Sequence, residues 1–309
     1  MISGVPCASH DGGACAASLS YNLCEPMLIA FTMLCALAMQ TPTAAPDSTP
    51  LEPDRPDVTN GTHIVDVGLL QVEFGGLLNR SGDGRRNSGT PVTARVGLTN
   101  WLEARVSTDG YLSVIDPIEG NQTGLGNVQV GAKLRLWADP GGVPVLSILP
   151  TINLPVASES TGLGSGQMDF TIALLTGTDF LKHGHIDANY GIGRIGAGTD
   201  LPRFTQHLVS LSASAEIPGP VTPYVESFWF SRQDPDGGSV IAIDAGAIYV
   251  INARLALDGG IQVGLTAAAP SVSVFGGMSV VVGDVLGDHG VHARRREAAR
   301  RAAKGVQSK

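Results

Sequence analysis

The sequence predicts an all-β chain closed into a single transmembrane antiparallel β-barrel of about 12 strands. Three observations carry that expectation. The chain is 43% hydrophobic but only 16% charged, and 40 of its 309 residues are glycine. After about residue 40 its apolar residues never form a run near the ~20 residues that a spanning helix needs. From residue 63 onward they alternate with polar residues at period two, the repeat of a strand with one apolar face. The connections between alternating segments are short and long in turn, as in outer-membrane barrels with short periplasmic turns and longer external loops.

The first 45 residues read as a signal peptide region. Met27 to Met39 (MLIAFTMLCALAM) is an apolar run of h-region length, followed by the small and Pro-rich QTPTAAPDSTPLEPDRPD. No Lys or Arg precedes Arg55, so the expected positive flank is missing and the true start is placed at or near Met27. Cys7, Cys15, Cys24 and Cys35 all fall in this region, leaving a thiol-free body suited to an oxidising periplasm. Leu34 stands before Cys35 where a lipoprotein would carry a small residue, which argues against lipidation. Residues 46–62 read as a periplasmic segment or a plug, 63–283 as the barrel and 284–309 as a basic tail. From Arg294 to Lys309 that tail holds seven basic side chains and one acidic one, so the body is more acidic than the formal charge of −8 and no nucleic-acid partner is expected.

Twelve candidate strands lie near 64–75, 90–98, 101–108, 125–137, 143–154, 167–178, 184–194, 204–216, 221–231, 239–250, 253–265 and 271–283. The clearest sets Val128, Val130, Ala132, Leu134 and Leu136 on one face against Gln129, Gly131, Lys133, Arg135 and Trp137 on the other. The stretches GGLLNRSGDGRRNSG and DGYLSVIDPIEGNQTG read as long loops, while Thr99-Asn100, DPGG, IPGP and Ile251-Asn252 read as tight turns. Trp101, Trp137, Tyr224 and Tyr249 fall at the short-turn ends, and Phe74, Trp229 and Phe230 at the other, as interfacial belts would. The competing reading is a soluble secreted sandwich. Against it, the apolar faces carry hardly a charge, and the polar faces hold isolated charges amid Gly, Ser and Thr rather than dense Lys and Glu.

Several segments, taken in order, resemble one known family. DRPDVTNG (54–61) leads into VGLLQVEFGG, and then follow RVGLTNWLEAR (95–105), GLGNVQVGAKLRL (124–136), LPTINLPVAS (149–158), IDANYGIG (186–193), VTPYVESFWF (221–230) and the stretch 243–270. Their order and spacing are similar to the family named after the MetA pathway of phenol degradation. The resemblance implies an outer-membrane, transporter-like barrel, with transport of hydrophobic or aromatic compounds among its expected roles. It transfers no catalytic residue. Such barrels usually end on a strand with a terminal aromatic residue, whereas here the last strand runs on into the basic tail.

No enzyme constellation is found. HGH (183–185) lacks any HExxH or CxxC context, GLGSG (162–166) is not followed by a helical pattern, and GxSxG is absent. No cofactor or metal is expected, and the expected partners are membrane lipid and a small solute. The charges on the inward faces are the candidate selectivity residues: Glu73, Arg95, Glu103, Arg105, Lys133 and Arg135 on one side, and Asp169, Asp187, Glu226, Asp244 and Asp258 on the other. Closing the barrel would set a mainly basic wall against a mainly acidic one. Either these charges line a conducting pore, whose ion selectivity would change on reversing Arg95 and Arg135, or they pair across the lumen and plug a structural or binding protein.

Overall fold

The computed structural model describes residues 51–287, apart from 52, 57, 119 and 138–143. The signal region 1–45, residues 46–50 of the plug candidate and the tail beyond 287 lie outside the described residues.

Among the described residues there are fifteen strand segments: β1 (Leu69–Arg80), β2 (Arg86–Gly89), β3 (Val92–Gly97), β4 (Leu102–Thr108), β5 (Tyr111–Asp116), β6 (Gly120–Leu125), β7 (Val128–Trp137), β8 (Val145–Leu154), β9 (Asp169–Phe180), β10 (Gly184–Ile195), β11 (Phe204–Ala215), β12 (Val221–Phe230), β13 (Val240–Asn252), β14 (Leu255–Gly264) and β15 (Val272–Asp284). All ladder pairings between them are antiparallel, and β15 pairs back onto β1 from Leu69↔Asp284 to Arg80↔Val272, which closes the sheet. Three pairs of segments are halves of single staves. β2 and β3 run on through Pro91, β4 and β5 through Gly110, and β6 and β7 through Gly126, so the barrel has twelve staves.

The three interruptions lie side by side. Gly126 N–H donates to the Gly110 carbonyl (2.7 Å) and Tyr111 N–H to the Thr90 hydroxyl (2.9 Å). Gly110 has φ 70°, and a Cβ there would strike the Thr90 backbone. Above this line, β1, β2, β5 and β6 extend the sheet as a flap at the long-loop end, with β2 paired to β1 and β5, and β5 to β6. This corrects two sequence expectations. GGLLNRSGDGRRNSG is mostly strand, its connection shortened to 81–85, and DGYLSVIDPIEGNQTG is mostly a hairpin. Both faces of the flap are largely exposed, so its alternation leaves no apolar stripe to read.

Elsewhere the alternation is obeyed. Val130, Ile172, Val209, Val225, Ile243, Ile261 and Val274 point outward and are exposed, while their polar neighbours turn in. Backbone groups are satisfied around the ring, which a bilayer demands of any spanning sheet. Pro150 sits within β8: the ladder to β7 skips from Gly131↔Thr151 to Leu134↔Ile148, while pairing to β9 continues through Pro150↔Ile172. A register shift between Arg135 and Trp137 sets Trp137 opposite Leu146, so this indole is exposed outside rather than on the inward face read from the sequence. Tyr224, expected in the outer belt, is buried inside at 6% exposure, and Phe230 packs inward against Phe228 and Val240.

Candidate functional site

The interior is occupied by residues 51–66, which precede the first strand. Leu51 is buried with Ala256 and Val281 near the short-turn end. Val58 packs on the cluster of Phe228, Val240, Ala242 and Ala269 at the long-loop end. The chain then comes back to the short-turn end, where Gly68 N–H donates to the Gly97 carbonyl (2.8 Å) and β1 begins. The segment is therefore an excursion up into the barrel and down again.

Asp54 is its electrostatic centre. Its carboxylate accepts from Lys133 Nζ (2.8 and 3.0 Å) and from Arg105, and lies 3.4 Å from the Arg95 guanidinium. Arg95 also holds Glu73 (2.7 Å) and Glu103 (2.9 Å), and Arg95, Lys133 and Glu103 are each 0% exposed. Burial alone would raise the Asp54 carboxyl, but Arg95, Lys133 and Arg105 together hold it well below the usual carboxylate range. The next residue reaches the other way: the Arg55 guanidinium pairs with Asp258 at 3.3 Å. It lies flat against inward-facing Gly75 and Gly277, where a Cβ on either glycine would strike it.

The remaining anchors run along the segment. Backbone N–H groups of Asp54 and Arg55 donate to Glu73 (3.3 and 3.1 Å). Those of Val58 and Thr59 donate to Glu226 (2.9 and 2.5 Å), as does the Thr59 hydroxyl. Arg105 donates to the Asn60 side-chain carbonyl (2.9 Å), and Asn189, with its amide turned to face them, takes both backbone groups of Asn60. Lys133 donates to the carbonyls of Gly61 (2.7 Å) and His63 (3.2 Å), Arg135 to that of Thr62 (3.4 Å), and Val65 N–H to Glu103 (3.1 Å).

Of the eleven charges singled out from the sequence, Glu73, Arg95, Glu103, Arg105 and Lys133 thus form one network around Asp54, with Arg135 beside it. Glu226 and Asp258 meet the same segment from the opposite wall, and Asp244 stands across from Glu226 in the ladder. Asp187 lies 3.2 Å from His185 and faces Gly61 of the segment, while Asp169 lies apart near the long loops, bound to Asn153 (2.7 Å) and Gly196 N–H (2.7 Å). Asp54, Arg55 and Asn60 are partners that period-two patterning does not single out. The signal was present in the DRPDVTNG motif, whose Asp and Arg complement the basic and acidic walls respectively.

Above the segment, toward the long loops, lies a cavity of about 400 Å³. Asp54, Arg55, Asn60 and Arg105 lie on its floor side, and Thr93, Ser107, Gln129, Thr151, Thr171, Gln206, Leu208 and Phe230 line its walls. On one wall Thr93 donates to its β3–β4 ladder partner Ser107 at 3.0 Å. Among the described residues no group of three or more His, Cys, Asp or Glu could hold a metal ion.

A closed antiparallel ring with an apolar outward face and a polar, charged interior is a porin-like outer-membrane β-barrel, and the outer membrane is where the protein resides. More specifically, the chain belongs to the family described as "Putative MetA-pathway of phenol degradation", whose model matches residues 53–281. An outer membrane channel from Pseudomonas putida F1 has the same fold, with TM-score 0.54 at 13% identity over 77% of this chain and 99% of that one. The NanC porin aligns at TM-score 0.47 and 13% identity over 69% of this chain and 98% of its own, and the KdgM porin in complex with disordered oligogalacturonate at 0.45 and 8% over 68% and 98%. No curated protein sequence matches the chain.

Proposed function

We propose that the protein is a passive outer-membrane channel for small solutes, closed at rest by its own segment 51–66. The observation that carries this reading is how the segment is held. Its middle is fastened by ion pairs and by N–H groups on carboxylates, all of which water can replace, whereas permanent filling of a barrel uses packed side chains. Apolar burial along it is limited to Leu51 at its start, Val58 at the top of the excursion, and Ile64 and Val65 where the chain returns. Glu73, Arg95, Glu103, Arg105, Lys133, Arg135, Glu226, Asp244 and Asp258 then act as the latch when closed and as selectivity residues when open.

The cavity beyond the latch is within the usual range of small-molecule sites, ~300–1,000 Å³. Hydroxyl and amide side chains such as Thr93, Ser107, Gln129, Thr151 and Gln206 share its lining with a larger apolar surface that includes Leu149, Leu208 and Phe230. That lining suits a small neutral solute with a polar group, including a hydroxylated aromatic compound of the kind the family's description suggests.

Liposome swelling tests the reading. Proteoliposomes should swell in small neutral solutes faster than protein-free vesicles, and faster still when the segment is unlatched. No swelling in either state would overturn it and support the second reading, a non-conducting structural or binding protein, which the completeness of the segment's hydrogen bonding favours.

A further inference from the structure

The lipid-facing wall carries arginines at one place that the channel reading does not use. On the outer face of β9–β11, just above the exposed apolar residues Ile172, Leu174, Val209 and Leu211, stand Arg194 and Arg203. Arg194 faces Phe170 across one ladder and Thr205 across the next. Its guanidinium donates to the Thr205 hydroxyl at 2.9 Å. Arg203, two residues before Thr205, donates to the Met168 carbonyl (3.1 Å) and sits 5.8 Å from the centre of the Phe170 ring. One step lower His207 meets the Tyr190 hydroxyl at 3.0 Å.

Neither arginine has a carboxylate partner among the described residues, although Asp200 lies in the same loop. Each is held by neutral groups that leave guanidinium N–H donors pointing outward. This differs from Arg85 on the flap, which is paired with Asp116 at 2.8 Å. Two uncompensated arginines, Arg203 over the Phe170 ring and Arg194 beside it on Thr205, stand at the long-loop border of an apolar band, where the head groups of the outer leaflet lie. A guanidinium fork matches the oxygens of a phosphate.

We propose that Arg194 and Arg203, flanked by Thr205 and His207, form a binding site for the phosphate of a phosphorylated lipid headgroup in the outer leaflet. Phe170, Ile172 and Tyr190 below it would lie along the acyl chains of the same lipid. The occupant is a lipid and not a free anion because the site opens onto the apolar wall and not into the lumen.

Native mass spectrometry of the full chain in detergent micelles, titrated with bisphosphorylated lipid A, tests this. The wild type should retain the lipid, and R194Q/R203Q should bind it roughly 20-fold more weakly, as expected for two cations lost at an anionic surface. R85Q should bind as the wild type does. Folding of each variant is checked by its heat-modifiable gel migration. A second measurement on the wild type alone needs no variant: dephosphorylated lipid A should fail to compete, and millimolar inorganic phosphate should displace little. Equal binding by R194Q/R203Q, or equal competition by the dephosphorylated lipid, would overturn the proposal. Full displacement by inorganic phosphate would also overturn it, by showing a free-anion site.

Discussion

Asp54→Asn isolates the latch. The substitution keeps the size of the side chain and one carbonyl acceptor, but removes the charge shared by Lys133, Arg105 and Arg95. Those three cations then share only Glu73 and Glu103. Removing one partner from a buried ionic cluster costs about 3–5 kcal/mol. The barrel's own ladders are untouched, so the loss falls on the equilibrium between the seated and released segment. At 1.4 kcal/mol per tenfold, the released population rises by about two to three and a half orders of magnitude. Amide hydrogen exchange in micelles reads this directly at Val58, Thr59 and Val65, whose N–H groups are donated to Glu226 and Glu103. Exchange there should accelerate about 100-fold or more, while amides of β10 and β11 stay unchanged. If the three amides accelerate less than about fivefold, the Asp54 cluster does not hold the segment, and the latch reasoning fails.

Other outcomes follow from the same contacts. Because the Asp54 carboxyl is depressed, its contribution is present above the ordinary aspartate value of ~4 and lost only as pH falls through its lower value in the seated state. The Asp54 contribution, read as the difference in opening between the wild type and Asp54→Asn, should therefore be flat between pH 7 and 5 in bilayer recordings, and a difference that disappears within that range would contradict the assignment. Glu226→Gln replaces charge-assisted acceptors for Val58 and Thr59 with a neutral one; it should cost about 1–2 kcal/mol, read as roughly tenfold faster exchange at those two amides only. Asp258→Asn leaves the Arg55 guanidinium without its carboxylate partner. Exchange along 58–65 should then rise as much as it does in Arg55→Gln. Arg95→Glu, which the sequence reading treats as a selectivity probe, would set a fourth acid beside Asp54, Glu73 and Glu103 with full burial. Its expected result is loss of the heat-modifiable folded band rather than altered selectivity.

The barrel was legible because one physical rule governs most of it: lipid outside selects Val, Leu, Ile and Ala at every second position, so strands such as Val128–Trp137 announce their faces. The rule fails where its cause is absent. In the flap, Leu77–Arg80 and Tyr111–Asp116 mix apolar and polar residues on both faces, so they carry no one-sided pattern and read as loop. Trp137 changes face through a register shift that period-two counting cannot anticipate. The wall charges were found because a charge alone on an inward face stands out. Their partners were not, because Asp54, Arg55 and Asn60 lie in an irregular segment whose path depends on the closed ring. The sequence reading leaves open a conducting pore, charges paired across the lumen, and a plug from residues 46–62; the structure interposes a piece of the chain that answers the basic wall with a carboxylate and the acidic wall with a guanidinium and backbone N–H groups. Arg194 and Arg203 were passed over for a related reason, since a cation at a strand end looks like a loop residue until the ladder shows which face it shares.

The central claim is that segment 51–66 closes an otherwise open lumen. Single-channel recording in planar bilayers, comparing the wild type with a chain lacking residues 51–63, tests it most directly. The wild type should show long closed periods with brief openings, and the deletion a steady conductance at all voltages. A deletion variant that inserts as a folded barrel yet never conducts, or a wild type whose steady conductance equals that of the deletion, would contradict the account.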